Sequence, residues 1–154
     1  MTLQEFLTQL AQHCGVETTD EILQISEDEQ FVTATFQLPE EESGRFIGFH
    51  GEGLASLQRV ARLIFEEQYP EKKIVININD YRERRQAQLG EKTKNIVQRV
   101  LETGRPFTFQ HYLPSHERFV IHTALGNLPE ANEVESVSEG EGSARRLTIR
   151  LKQQ

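Results

Sequence analysis

Before Arg45 this chain contains no lysine and no arginine, although ten acidic residues fall in that stretch. All 17 basic residues come later, against 14 acidic ones, so a chain of net charge -7 carries +3 from Arg45 onward. Overall acidity argues against a phosphate ligand; the local change of sign removes that objection, because the field near a site matters more than the total. Tryptophan is absent, and there is one methionine and one cysteine. A lone Cys14 excludes an internal disulfide and fits a reducing, cytoplasmic location. No apolar run approaches the roughly 18 residues of a membrane span. The start lacks a basic stretch followed by an apolar core, so no secretory signal is expected. Walker A, GxSxG and Cys/His arrangements are missing too, which leaves no set of catalytic residues and no cofactor to expect. His111, His116 and His122 occur without cysteine partners or HExxH spacing, so no metal site is expected either.

What is present is a well-patterned chain of 154 residues, long enough for one ordinary domain or two small ones. Thr2 and Glu5 form a capping box. Leu3, Phe6, Leu7, Leu10, Ala11 and Cys14 follow at helical spacing, which places Cys14 in the core, and Gly15 ends the helix. A short strand is expected near Ile22–Ile25. Val32, Ala34, Phe36 and Leu38 alternate with polar residues as a half-buried strand. Pro39–Gly44 reads as an acidic loop, with Glu40, Glu41 and Glu42 solvated rather than poised for acid–base work, and Phe46-Ile47 as a helical turn. A helix over Gly53–Tyr69 buries Leu54, Leu57, Ala61, Ile64 and Phe65, and Pro70 ends it. Ile74, Ile76 and Ile78 mark another strand. Residues 1–79 therefore read α-β-β-α-α-β.

Asp80 is placed to cap a long helix buried through Leu89, Ile96, Val97 and Val100, with Gly104 and Pro106 closing it. A strand near Phe107–Phe109 and a helix from Pro114 or Ser115 to Leu125-Gly126 come next. Glu133–Ser138 and Arg145–Leu151 form a hairpin around Glu139-Gly140-Glu141-Gly142, with Leu147, Ile149 and Leu151 facing in.

Two motifs carry chemistry. Gly48-Phe49-His50-Gly51 is a GxxG loop opening a helix, where bare backbone amides can approach a phosphate chain. Its position in the element order is the one a KH module needs, in which the loop clamps about four nucleotides. The plainer alternative is a helix–helix turn in which glycine relieves strain. Arg118 and His122 stand four apart on a helix, a cation and a titratable donor on one face. Here the alternative is local pairing of Arg118 with a glutamate and local packing of His122.

Four separated segments resemble one family in the right order. They are Arg45 through Gln58, Asp80-Tyr81-Arg82-Glu83-Arg84-Arg85, Glu117-Arg118 through His122, and Ser138–Gly142 with Arg145-Arg146. Together they resemble the C-terminal part of the Jag (SpoIIIJ-associated) family of bacterial RNA-binding proteins over about residues 20–151. The resemblance implies an α+β protein: a type II KH domain over 1–79, then an Arg-x-x-x-His domain over 80–154, joined rigidly by the long helix from Asp80. It implies non-catalytic binding of single-stranded RNA, with single-stranded DNA a second ligand, in post-transcriptional regulation. A KH-protein partner or a homodimer fits the same picture. The implied RNA-binding residues are Ile47, Gly48, Phe49, His50, Gly51, Leu54, Arg118 and His122, with Ile47 and Leu54 flooring a base groove. Arg45, Arg82, Arg85, Arg145 and Arg146 are candidate phosphate contacts. The chain departs from the family where Phe49 and His50 replace basic residues, Phe49 there suited to stack on a base or cover the groove. Phe119 replaces a frequent second arginine. No N-terminal Jag domain or basic linker is seen. Those losses of charge, with the acidic first third, favour the rival reading: a protein-interaction adapter with weak or no RNA binding.

Overall fold

The first helix, α1 (Leu3–His13), starts on a reciprocal cap: Glu5 N–H donates to Thr2 Oγ1 and Thr2 N–H to Glu5 Oε2, at 3.2 and 2.8 Å. The computed structural model describes residues 1–153 and divides them into a unit from Met1 to Tyr81 and a unit from Arg82 onward. The fold class is α+β, as expected.

In the first unit α1 is followed by β1 (Leu23–Glu27), β2 (Phe31–Phe36), α2 (Glu40–Ile47), α3 (Glu52–Phe65) and β3 (Lys73–Ile78). The sheet order is β1-β2-β3, with β1 antiparallel and β3 parallel to the central strand. Val32, Ala34 and Phe36 pair in register with Ile74, Ile76 and Ile78, and all six are buried. Alternation thus gives the sheet one apolar face, against which Leu3, Leu7, Leu54, Ala61 and Phe65 of the helices close the core. Asn79, at φ +48°, holds the strand ends together. Its Oδ1 accepts from Leu38 N–H at 2.8 Å and its Nδ2 donates to Leu38 O at 3.0 Å. The outer edge of β3 is met by α3 side chains: Gln58 Oε1 accepts from Ile76 N–H at 3.1 Å, and Arg62 Nε donates to Ile74 O at 2.9 Å.

Three expectations need correction in this unit. Residues 40–44 are not a loop but the start of α2. Pro39 stands at its N-cap, and three glutamates fill the first turn, where the positive end of the helix dipole favours them. Cys14 is exposed, because α1 ends one residue earlier and Val16 takes the buried place. Ile64 is exposed with Val60 and Leu63, so the buried stripe of α3 is narrower than its apolar content.

The turn between α2 and α3 is set by close backbone approach. A Cβ on Gly53 would lie 2.6 Å from Phe46 O, and one on Gly48 2.8 Å from Gly53 N. Gly51, at φ +80°, packs against the Tyr81 ring, where a Cβ would meet Cε1 at 3.0 Å.

The second unit contains most of α4 (Tyr81–Thr103), then β4 (Phe107–Thr108), α5 (Ser115–Gly126), β5 (Val134–Glu139) and β6 (Arg146–Leu151). Its antiparallel sheet has the order β4-β6-β5. Leu89, Ile96, Val97 and Val100 of α4 pack with Ile121, Leu125, Val134, Leu147 and Ile149. Leu151 is exposed, contrary to expectation, although Val134 opposite it in the last pair of the ladder is buried. Within this core Glu117 is 1% exposed, and Arg85 holds it with two bonds, Nε to Oε1 at 2.6 Å and Nη2 to Oε2 at 3.0 Å.

These contacts set the expected cost of breaking them. Gly53→Ala forces apart a backbone contact that no rotamer can relieve, and should cost about 1–3 kcal/mol or more in urea unfolding, read on the first unit. Arg85→Met strands a buried carboxylate and should cost about 3–5 kcal/mol, whereas Arg85→Met with Glu117→Leu should recover most of that loss. A double variant as unstable as Arg85→Met would show that the two residues do not act as a pair.

Candidate nucleic-acid interface

The GxxG loop is a kinked turn between α2 and α3. Gly48 (φ +69°), His50 (φ +51°) and Gly51 (φ +80°) all take positive φ, and α3 begins directly after Gly51. His50 is strained in the left-handed conformation, since its Cβ is crowded there. Its ring stands edge-to-face against Phe49, centroids 4.0 Å apart. Phe49 itself projects from the loop at 59% exposure. Ile47 and Leu54 belong to the buried core under the turn, so they fix the loop from beneath. Arg45 is exposed, and its Nη1 donates to Cys14 O at 3.2 Å. The loop therefore combines exposed backbone, an aromatic ring and a nearby cation, three elements that phosphate and base can use.

The second group of residues lies on α5, which Pro114 opens. Its buried stripe is Glu117, Ile121 and Leu125, extended one turn back by the buried Leu113. Arg118 sits beside that stripe, half-buried. Its Nη1 donates back to Leu113 O at 2.5 Å, and its guanidinium lies 6.0 Å from the Tyr112 ring centroid. His122, one turn on, is exposed and its Nδ1 is hydrogen-bonded to Ser136 Oγ of β5. That bond fixes the ring and leaves Nε2 as the second ring nitrogen. Partial burial, and after it the positive charge of Arg118, hold the imidazole below its ordinary value of 6.5. Phe119 stands between the two at 70% exposure.

The other arginines divide by what they hold. Arg85, expected as a phosphate contact, is committed to Glu117, so its geometry assigns it to the core. Arg82 is half-buried on α4. Arg146 braces the hairpin turn, Nη1 donating to Ser143 O and Arg145 O at 2.7 and 3.0 Å. Arg145 Nε is buried without a hydrogen-bond partner among the described residues. No cluster of three or more His, Cys, Asp or Glu fit to hold a metal occurs among the described residues, and no helix there is long and apolar enough to cross a membrane.

Several residues of these sites were not singled out from sequence. Gly53 and Tyr81 shape the loop, and Ser136 orients His122. Glu117 had a readable signal: it is a carboxylate at an apolar position, four residues from Leu113 and four from Ile121. Ser136 had none, since its pairing with His122 is made by the fold.

Residues 89–151 match the R-3-H domain family, named for an arginine and a histidine with three residues between them, and the matched stretch contains both Arg118 and His122. Over a longer stretch the chain is 30% identical, across 120 residues, to RNA-binding protein KhpB of Lactiplantibacillus plantarum, covering 77% of this chain and 36% of that protein. It is 31% identical over 126 residues to RNA-binding protein KhpB of Streptococcus pneumoniae, covering 81% and 37%. For the protein of the same name from Clostridium symbiosum the figures are 32% over 115 residues, 74% and 50%. The chain thus spans half or less of the length of the curated relatives it matches. Its second unit carries a segment similar to the R-3-H domain, and about three-quarters or more of the chain is similar to proteins named RNA-binding protein KhpB.

Proposed function

We propose that this chain binds single-stranded RNA without catalysing a reaction, as a cytoplasmic element of post-transcriptional regulation. The carrying observation is the R-3-H domain match over 89–151, with Arg118 and His122 one turn apart at the surface of α5. Similarity to proteins named as RNA-binding supports the same reading. In the first unit, the order α-β-β-α-α-β with a GxxG turn between α2 and α3 supports a type II KH domain. On this reading Gly48 and Gly51, lacking side chains, let the loop backbone come close to phosphate, while Phe49 and His50 flank the path. In the second unit Arg118 offers a cation and His122 a donor to the same kind of ligand. Arg45 and Arg145 are further phosphate contacts on this reading. A homodimer or a KH-protein partner also belongs to it, resting on Val60, Leu63 and Ile64, which are exposed together on α3.

Two binding points in one chain favour a strand long enough to reach both, because the second contact becomes intramolecular. Labelled RNA titrated across a salt series should lose affinity with a log–log slope of about -0.7 per phosphate contacted. Arg118→Ala should cost about 1–2 kcal/mol more on a long oligonucleotide than on one of about four nucleotides, which only the loop can engage. An equal loss on both lengths would remove the second site from this reading. No binding of wild type to any strand, even at low salt, would leave the adapter function instead.

Protonation of His122 gives a pH test with opposite signs for folding and binding. The unfolded chain takes up this proton near 6.5 and the folded chain only at lower pH. The stability tied to neutral His122 is therefore intact above 6.5 and declines as pH falls below it. A bound phosphate prefers the imidazolium, so RNA affinity should rise through that same window. His122→Gln should flatten both profiles, measured by urea unfolding and by RNA titration at each pH.

A further inference from the structure

The chain has nine phenylalanines. Seven are buried or half-buried, and two are exposed: Phe49 at 59% and Phe119 at 70%. Those two lie inside the two motifs, one between the glycines of the GxxG and the other directly after Arg118. An exposed phenyl ring gains little from folding, since most of its apolar surface still faces water. Its placement therefore calls for a reason outside the folded core, and both rings have a chemically similar setting.

At the loop, three positive-φ residues hold the tip: Gly48, His50 and Gly51. His50 adopts that conformation against its own preference, and its ring braces Phe49 edge-on at 82° between planes. Phe49 is nonetheless 59% exposed, so much of its ring surface is left for something else. On α5, Val120 and Ile121 turn inward while Phe119 shares the exposed stripe with His116 and His122, each three residues away. Arg118 is its chain neighbour, held by Leu113 O. Each exposed ring thus stands beside polar groups suited to phosphate: backbone amides at the loop, Arg118 and His122 on the helix.

We propose that Phe49 and Phe119 are stacking platforms, each taking the face of one unpaired nucleobase while the groups beside it hold the sugar–phosphate chain. This rests on the RNA-binding reading above and adds what the ligand must offer: accessible, unstacked bases. A duplex cannot supply them, because its bases are already stacked on each other. Stacking also releases no counterions, so these two contacts add affinity without adding salt dependence.

The test uses the full chain with three probes of equal length: an adenosine-rich single strand, a strand of abasic sugars, and a duplex. Phe49→Ala and Phe119→Ala should each weaken binding to the adenosine-rich strand by about 5- to 160-fold, the range for loss of one stacked base. The salt slope should stay at the wild-type value in both variants, whereas Arg118→Ala should make it shallower. Phe→Tyr at either position should bind as wild type. The abasic strand and the duplex should bind weakly to wild type, and the alanine variants should weaken them no further. Both side chains are exposed, so circular dichroism and urea unfolding should be unchanged. Wild type that binds RNA while both alanine variants bind equally well overturns the stacking role alone. Equal losses on the adenosine-rich and abasic strands overturn it as well. Wild type that binds none of the probes overturns the RNA-binding reading and this inference with it.

Discussion

The shape of the first unit turns on one close approach, the backbone of Gly53 against the carbonyls of Phe46 and Ile47. With no side chain at Gly53 and Gly48, the end of α2 and the start of α3 come within van der Waals contact. The chain between them must then reverse in four residues. It does so by taking positive φ three times. Seating α3 there puts Leu54 in the core, Gln58 and Arg62 on the edge of β3, and Phe49 outside. The glycines of the motif therefore have two reasons to be glycine. One is internal packing, visible in the distances to Gly53 and Tyr81. The other is the room they leave for a ligand, on the function proposed.

The second unit solves a different problem, that of presenting charge from a helix whose other side is core. Glu117 occupies an apolar-stripe position on α5 and is neutralised by the two-pronged Arg85 contact from α4. Burying a carboxylate is costly unless its oxygens are bonded, and here both are. The pair fixes the rotation of α5, and rotation decides what its next residues face. Arg118 then falls at the edge of the stripe, with Phe119 and His122 outside it. Because Arg118 is tethered to Leu113 O, its head group loses less conformational entropy on meeting a ligand than a freely mobile side chain loses.

Much of this was legible in the sequence where the signal is periodic. Alternation located β2 and β3, the Gly-rich acidic turn located the β5–β6 hairpin, and the capping box located α1. Three failures have physical causes. Three consecutive glutamates after a proline read as a loop, but at a helix start the dipole makes them favourable, and α2 follows. Cys14 lies just past the end of α1, and Ile64 shares the outer side of α3 with Val60 and Leu63, so apolar spacing alone assigns too much to the core. Arg85 was read as a phosphate ligand because its partner lies 32 residues away. Pairings of that kind, like Ser136 with His122 or Gly53 with Phe46, are made by the fold and leave no local trace. Motif spacing singled out the candidate residues; what surrounds and orients them it could not show.

The parallel pairing of β2 with β3 has a consequence for how the chain reaches this state. Those strands meet only after α2, the GxxG turn and α3 have been accommodated between Phe36 and Lys73. A parallel pair cannot grow outward from a tight turn, so its closure entropy comes before its hydrogen bonds. The β5–β6 hairpin has the opposite order, a short glycine-rich turn from which the ladder can zip. Contact order therefore separates the two units kinetically, with the hairpin of the second able to form early and the sheet of the first late. Until it does, the side-chain cover that Gln58 and Arg62 lay along β3 does not exist.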